Sequence, residues 1–437
     1  MNRLALCAAV LVGVLGGNAA LADEIGEPDR TVLSVSLNEA IVRALRWHPR
    51  DREVVATVDH ARARFEAERA GSLPTFTFQF EHIWEDSRIG PGGVHDPLDL
   101  NQIAVISNVP IVDGRAWANW QEAQDRLDVS VADAMTSRRA IGLAAARAWI
   151  EAAAVAHALA VEREGLRTAR DHERFVRGRL DSGAATSLDL VRASKEIAVA
   201  SALVDRARAA QIRACELLGL LTGASEPLDA DLDDDHPLSD PLKDGDEPVP
   251  DIVAAKEALN AARKEVRNMF TDYLPALHAE VIGFFQDHPQ PELPVTGIGY
   301  ACFMRLTLPL YDGGLREATL RSRRAERLRS EAHLDDVTRI ITVERRDGES
   351  DVRRLRAALE ETKDAADLAR KALDLSQSRY ASGKGTQLEV IYALRESRDA
   401  DIAVAAAEEV WRRATLDLLA ARGLVPSGAQ LRNYRNH

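Results

Sequence analysis

The side chains best equipped for acid-base or metal chemistry are eleven histidines and three cysteines, and their spacing gives them nothing to do together. There is no HExxH pair and no closely spaced His/Cys group; His82, His95, His278 and His288 merely fall in or near two alternating stretches described below. Cys7 lies in an N-terminal apolar run, while Cys215 and Cys302 stand far apart without metal-ligand spacing, so neither a disulfide scaffold nor a metal site is expected. No phosphate loop, nucleophile elbow or dinucleotide fingerprint occurs, and Gly297-Ile298-Gly299 sits in an alternating stretch without the helix start such a loop needs. The chain is therefore expected not to be an enzyme and to hold no cofactor. Two carboxylates, Asp189 and Glu389, do occupy matching places just after glycine turns, where the helix dipole favours a negative group.

What positions these residues is a sequence written twice. Pro49 pairs with Pro250, Leu73-Pro74 with Leu274-Pro275, Val109-Pro110 with Leu308-Pro309 and Asp113-Gly114 with Asp312-Gly313, at an offset of about two hundred residues. The register continues through Arg179, Ser182, Gly183, Thr186 and Leu188 against Arg379, Ser382, Gly383, Thr386 and Leu388. Proline and glycine have specific backbone roles, so their co-registration weighs more than matching alanines. The expected organisation is a signal peptide over 1–22, a first repeat over 23–223, an acidic Pro-rich linker over 224–250, a second repeat over 251–423 and a tail over 424–437. Each repeat reads as helix, strand pair and long helical hairpin. The linker, with Asp233-Asp234-Asp235, Pro237, Pro241 and Pro248, is expected to be a surface connection.

The hairpins are legible from what is missing. Proline is absent from Ile111 to Glu226 and from Leu310 to Val425, two tracts of about 116 residues. Each is broken once, at Ser182-Gly183-Ala184 and at Ser382-Gly383-Lys384, where glycine can end one helix and Thr186 or Thr386 can cap the next. After the turns, Leu190/Ala193, Ile197/Ala200 and Val204/Ala207 recur with heptad spacing, and Val390/Ala393, Ser397/Ala400 and Val404/Ala407 repeat the register. Before the first turn Trp120, Leu127, Ala134, Ile141, Ala148 and Val155 recur every seven residues. An arm of roughly 66 residues is on the order of 100 Å long.

Between Pro74 and Pro110 the period falls to two. Phe76, Phe78, Phe80 and Trp84 alternate with Thr77, Gln79 and Glu81, and Ile103 and Val105 alternate with Gln102 and Ala104 on a returning strand. Leu277, Val281 and Tyr300 mark the apolar face of the second pair. Runs of about nine to eleven residues suit tilted strands crossing a bilayer. Four strands cannot close, and open edges are intolerable in lipid, so other copies must complete them; a conducting pore favours three or more.

The ends and the composition agree. Arg3, the run Leu4–Leu15 and Ala20-Leu21-Ala22 form a secretory signal with cleavage expected after Ala22. No other stretch is expected to span a bilayer as a helix. A net charge of −13 makes nucleic acid a poor partner, and 5 % aromatics with abundant alanine suit long, closely packed helices.

Over essentially the whole mature chain these motifs resemble the TolC-like outer membrane efflux protein family. The resemblance is carried by Leu37-Asn38-Glu39-Ala40-Ile41 with His48-Pro49, by Ala70-Gly71-Ser72-Leu73-Pro74, and by the junctions Val109-Pro110-Ile111-Val112-Asp113-Gly114 and Leu308-Pro309-Leu310-Tyr311-Asp312-Gly313-Gly314. It implies a mainly α fold with a small β part, in which duplicated antiparallel hairpins form an α-barrel and four strands per chain contribute to a trimeric twelve-stranded transmembrane β-barrel. It further implies an outer-membrane exit duct of a tripartite efflux or type I secretion system, extending into the periplasm. A periplasmic adaptor and an inner-membrane pump would dock at the turns, and Asp189 and Glu389 would line an acidic gate. Tyr392 stands where some members have a second acid, and Gly385 replaces a basic latch residue. The rival expectation is a soluble periplasmic coiled-coil adaptor or scaffold, which would explain the hairpins but not the strand pairs.

Overall fold

The computed structural model describes residues 33–85, 98–231, 247–287 and 297–424. The signal peptide, most of the linker, the loops between paired strands with His95 and His288, and the tail beyond 424 lie outside the described residues.

Each half runs in the same order. In the first, α1 (Leu37–Trp47) and α2 (Pro49–Ala70) lead to β2 (Thr75–Glu85), β3 (Leu98–Val112) and the hairpin α3 (Gly114–Asp181) and α4 (Ser187–Thr222). In the second, α5 (Pro250–Asn268) and a 3-10 turn (Met269–Tyr273) lead to β5 (Ala276–Gln286), β6 (Gly297–Thr307) and the hairpin α6 (Leu315–Ala381) and α7 (Gln387–Ala421). Two short strands, β1 (Leu33–Val35) and β4 (Leu228–Ala230), pair in parallel. Local chemistry sets the boundaries: Ser36 accepts from Glu39 N to start α1, and His48, in extended backbone because proline follows, accepts from Arg50 N at 3.1 Å to start α2.

The core sits where α1, α3, α4, α7, β1 and β4 meet, around Ile41, Trp149, Ile150, Leu218, Leu228 and Leu416. Trp149 Nε1 donates to the Val35 carbonyl at 2.7 Å, so the indole spends its one donor inside the core. Away from this point the hairpins are held by the heptad seams: Ala193 and Ala200 are buried on α4, and Val352, Leu359 and Ala366, seven apart, are buried on α6. Alanine at these positions lets neighbouring helices approach closely.

Three sequence expectations are corrected. The linker is not wholly a surface connection: Leu228 and Ala230 are buried in the core, because β4 adds to β1 beneath α3. Strand β3 has 15 residues rather than nine to eleven; it passes Pro110, whose missing N–H is absorbed by a register shift between Pro110 and Val112. One further helix, α3, does hold a stretch long and apolar enough to cross a bilayer; its alanine-rich middle, including Ala145, Ala146, Ala152 and Ala153, is buried against the rest of the protein instead.

Candidate functional site

The two hairpin turns are near copies. In the first, Gly183 takes φ 75°, Gly183 N donates to Leu180 O at 2.9 Å and Ala184 N to Arg179 O at 2.7 Å; in the second, Gly383 takes φ 73° and donates to Tyr380 O at 3.1 Å while Lys384 N donates to Arg379 O at 2.9 Å. Ser182 and Ser382 hydroxyls donate to the Arg179 and Arg379 carbonyls at 2.9 and 3.0 Å. Ser182, Gly183, Ala184, Ser382, Gly383 and Lys384 are all exposed. A Cβ on Gly385 would come within 3.1 Å of the Tyr380 backbone, a tight contact that a larger residue at this place in the second turn would relieve only by a small shift of its neighbour.

Asp189 and Glu389 close reciprocal caps. Asp189 N donates to Thr186 Oγ1 at 3.2 Å and its carboxylate accepts from Thr186 N at 3.0 Å; the Glu389 and Thr386 pair repeats this at 3.3 and 3.4 Å. The hydrogen bonds from Thr186, backbone first, together with Arg192 and Arg179, hold the Asp189 carboxyl below its ordinary value, so it stays ionised at neutral pH.

Sequence reasoning missed what joins the two turns. Arg179 Nη1 donates to the Tyr380 carbonyl at 2.6 Å and its guanidinium lies 4.7 Å from that ring, while Gln387 Nε2 donates to the Asp189 carbonyl at 2.6 Å. Further along, Arg395 Nε reaches both carboxylate oxygens of buried Glu196 at 2.9 and 3.1 Å, tying α7 to α4. His172 is buried beside this pair with its ring 5.9 Å from Tyr380, and burial lowers its pKa against the opposing pull of Glu196. The only available signal was a buried polar residue at a heptad-spaced position, and in one sequence that signal cannot be told from a solvated face.

At the opposite end the four strands form one antiparallel sheet in the order β2-β3-β5-β6. Cross-strand partners point to the same face, so the register decides sidedness. Phe78 pairs with Val105, Phe80 with Ile103, Ile103 with Phe285, and Gly283 with Tyr300. Phe76, Trp84, Val281 and Leu277 fall on that same face by alternation, so all nine residues singled out in the sequence lie together. The face is bare: Phe76 is 75 % exposed, Trp84 79 % and Tyr300 85 %. On the reverse, Gln79, Glu81, Glu280 and Arg305 surround a small apolar cluster in which Phe284 covers Gly299 and packs near Ala104. Strands β2 and β6 each leave one edge unpaired. Among the described residues no His/Cys/Asp/Glu group could hold a metal ion.

Paired helical arms some 100 Å long, ending in an open-edged sheet with a greasy outer face, define a duct subunit anchored in an outer membrane. The chain belongs to the outer membrane efflux protein family, which it matches over residues 40–224 and 247–424. Solved structures share the fold: a membrane protein from Pseudomonas aeruginosa (TM-score 0.76, 22 % identity, 92 % of this chain and 93 % of that one) is one. The outer membrane protein VceC of Vibrio cholerae (0.74, 19 %, 89 % and 96 %) and the Campylobacter jejuni CmeC outer membrane channel (0.76, 14 %, 91 % and 88 %) are two more. No curated protein sequence matches. The protein is thus an outer-membrane exit duct for efflux that reaches into the periplasm, and its family is one of channels rather than enzymes. The soluble-adaptor alternative is not favoured by this membership.

Proposed function

We propose that three copies of the chain assemble into a passive channel. Three sets of four strands make a twelve-stranded barrel, and the paired hairpins make the tunnel beneath it. The observation that carries this is the open edge on each side of a sheet whose outer face is bare: in lipid, unpaired N–H and C=O groups cost several kcal/mol each, and pairing β6 of one copy with β2 of the next removes the penalty. Phe76, Phe78, Phe80, Trp84, Ile103, Val105, Leu277, Val281 and Tyr300 then face lipid. The turns at Ser182-Gly183-Ala184 and Ser382-Gly383-Lys384 receive a periplasmic adaptor coupled to an inner-membrane pump, and ionised Asp189 with Glu389 gives the closing tip an acidic ring. Light scattering of the detergent-solubilised mature protein tests the assembly. A protein mass of three chains is expected, and a monomer that stays in water without detergent overturns it. In planar bilayers, Asp189→Asn with Glu389→Gln should weaken cation preference; unchanged selectivity removes both from the gate.

A further inference from the structure

Where the sheet gives way to helices, irregular backbone carries large apolar side chains with nothing over them. Leu310 and Tyr311 are 85 % and 86 % exposed, and Leu73, Ile111, Phe270 and Tyr273 are exposed around them. The polar groups of the same segments are tucked inward. Pro74, Pro110, Pro275 and Pro309 remove one N–H at each of four junctions. Buried Arg316 donates through Nη1 to the Pro309 carbonyl at 3.3 Å and through Nη2 to the Leu310 carbonyl at 3.4 Å, while its Nε holds Asp312 at 2.8 Å and its guanidinium lies 4.5 Å from the Tyr273 ring. Asp312 in turn accepts from Gly314 N and Arg316 N, each at 3.2 Å. Non-helical backbone at membrane depth requires such internal satisfaction.

The span points the same way. At a rise of 3.4 Å per residue and a tilt of about 40°, the described apolar run of β2 from Phe76 to Trp84 covers ~21 Å of the roughly 25 Å apolar band of an outer-membrane barrel. The collar continues that band through Val112 and Leu277, which pair just past the register shift at Pro110. Just beneath, Arg69 lies in the last turn of α2, Arg267 in the last turn of α5 and Arg321 in the second turn of α6; all three are exposed and make no ion pair among the described residues.

We propose that this collar is an inner-leaflet anchor: its apolar side chains enter the acyl region of the inner leaflet and the three arginines take the phosphates of anionic phospholipid headgroups. The inference rests on the reading of the sheet as a transmembrane barrel. A neighbouring copy is the weaker occupant of the collar as a whole: Leu73, Leu310 and Tyr311 adjoin the edge strands β2 and β6, but Ile111, Phe270 and Tyr273 flank the central strands β3 and β5, away from the edges where copies meet.

The test uses the full mature protein reconstituted in phosphatidylethanolamine/phosphatidylglycerol vesicles. Nitroxides are placed at Phe78→Cys or Tyr311→Cys in a Cys302→Ser background; the remaining Cys215 is buried with its thiol pushed up to about 12 and does not label. Both labels should collide with oxygen in preference to a water-soluble nickel chelate, the one at 311 at the shallower depth. Water exposure at 311 with lipid exposure at 78 overturns the anchor and leaves the barrel standing. Water exposure at both sinks the barrel itself, and a label at 311 shielded from both agents assigns the collar to a subunit contact. With Arg69→Gln, Arg267→Gln and Arg321→Gln combined, the preference for spin-labelled phosphatidylglycerol over phosphatidylcholine should fall at least roughly twofold; an unchanged preference overturns the headgroup contact.

Discussion

The long arm of the first hairpin, α3, buries 21 of its 68 residues, whereas the matching arm of the second, α6, buries five of 67. Nothing in helix propensity separates them. The difference is position: α3 packs against α1, α2, α4, α5 and α7, while α6 packs chiefly on α5 and α7 and leaves Leu328, Ile340, Val343, Leu368 and Leu375 exposed on an otherwise charged helix. The tips repeat the contrast. Arg179 of the first turn reaches across to Tyr380, but Arg379 of the second reaches only its own turn, 3.5 Å from the Lys384 carbonyl. One hairpin is thus covered within the chain, and the other leaves a side open, where the proposed assembly would seat another copy.

The hardest blow to that contrast falls at the covered arm. Trp149→Ala should cost about 3–5 kcal/mol, read by thermal unfolding, whereas Leu375→Ala on the uncovered arm should leave protomer folding nearly unchanged and show instead as weaker assembly in detergent. If Leu375→Ala changes neither, the exposed side of α6 is not a subunit seam. Next comes the tie between hairpins: Glu196→Gln leaves Arg395 without its charge partner at a site where Glu196 is buried but Arg395 is partly wet, so a loss of roughly 1–2 kcal/mol is expected, with more frequent channel opening in bilayers. Comparing Arg179→Ala with Arg379→Ala sharpens the asymmetry. The first should cost about 1 kcal/mol in hydrogen-exchange protection of the tip and the second much less; equal losses would mean that the assembly gives Arg379 a partner too.

The smallest effect is on pH. Burial holds His172 below the ~6.5 of a free imidazole, so the unfolded chain binds its proton first. Its share of stability is therefore intact above about pH 6.5 and declines as the pH falls toward the lower folded value. Glu196 across the seam, the one charged group opposing the shift, moderates the loss. Replacing His172 by Gln should flatten the stability profile between pH 7 and 5; an unaltered slope would place the titration elsewhere.

Much of this was legible beforehand because it is periodic or punctuated. The seven-residue recurrence from Trp120 to Val155 marks a helix face that is buried or half-buried throughout, and the Ser-Gly turns end helices where expected, since glycine at φ near 75° is needed there. The alternation from Phe76 to Trp84 gave both strand and sidedness. The three residues of β4 were not legible, since so short a strand has no period and sits in acidic, proline-rich sequence. Nor was the pairing of Arg179, Gln387 and Glu196, which depends on how two hairpins some two hundred residues apart lie side by side.

The sequence by itself determined the elements: local sterics fix where proline and glycine interrupt, and side-chain periodicity fixes which face each helix or strand must bury. Only the tertiary structure decided that β3 pairs with β5, bringing the two halves into one sheet with Phe76, Phe78, Phe80, Trp84, Phe285 and Tyr300 on one side. It alone decided that the long arm of the first hairpin is covered within the chain and that of the second is not. Those choices are made by contacts between segments far apart in the chain, whose free energy depends on both partners at once and is written in neither alone.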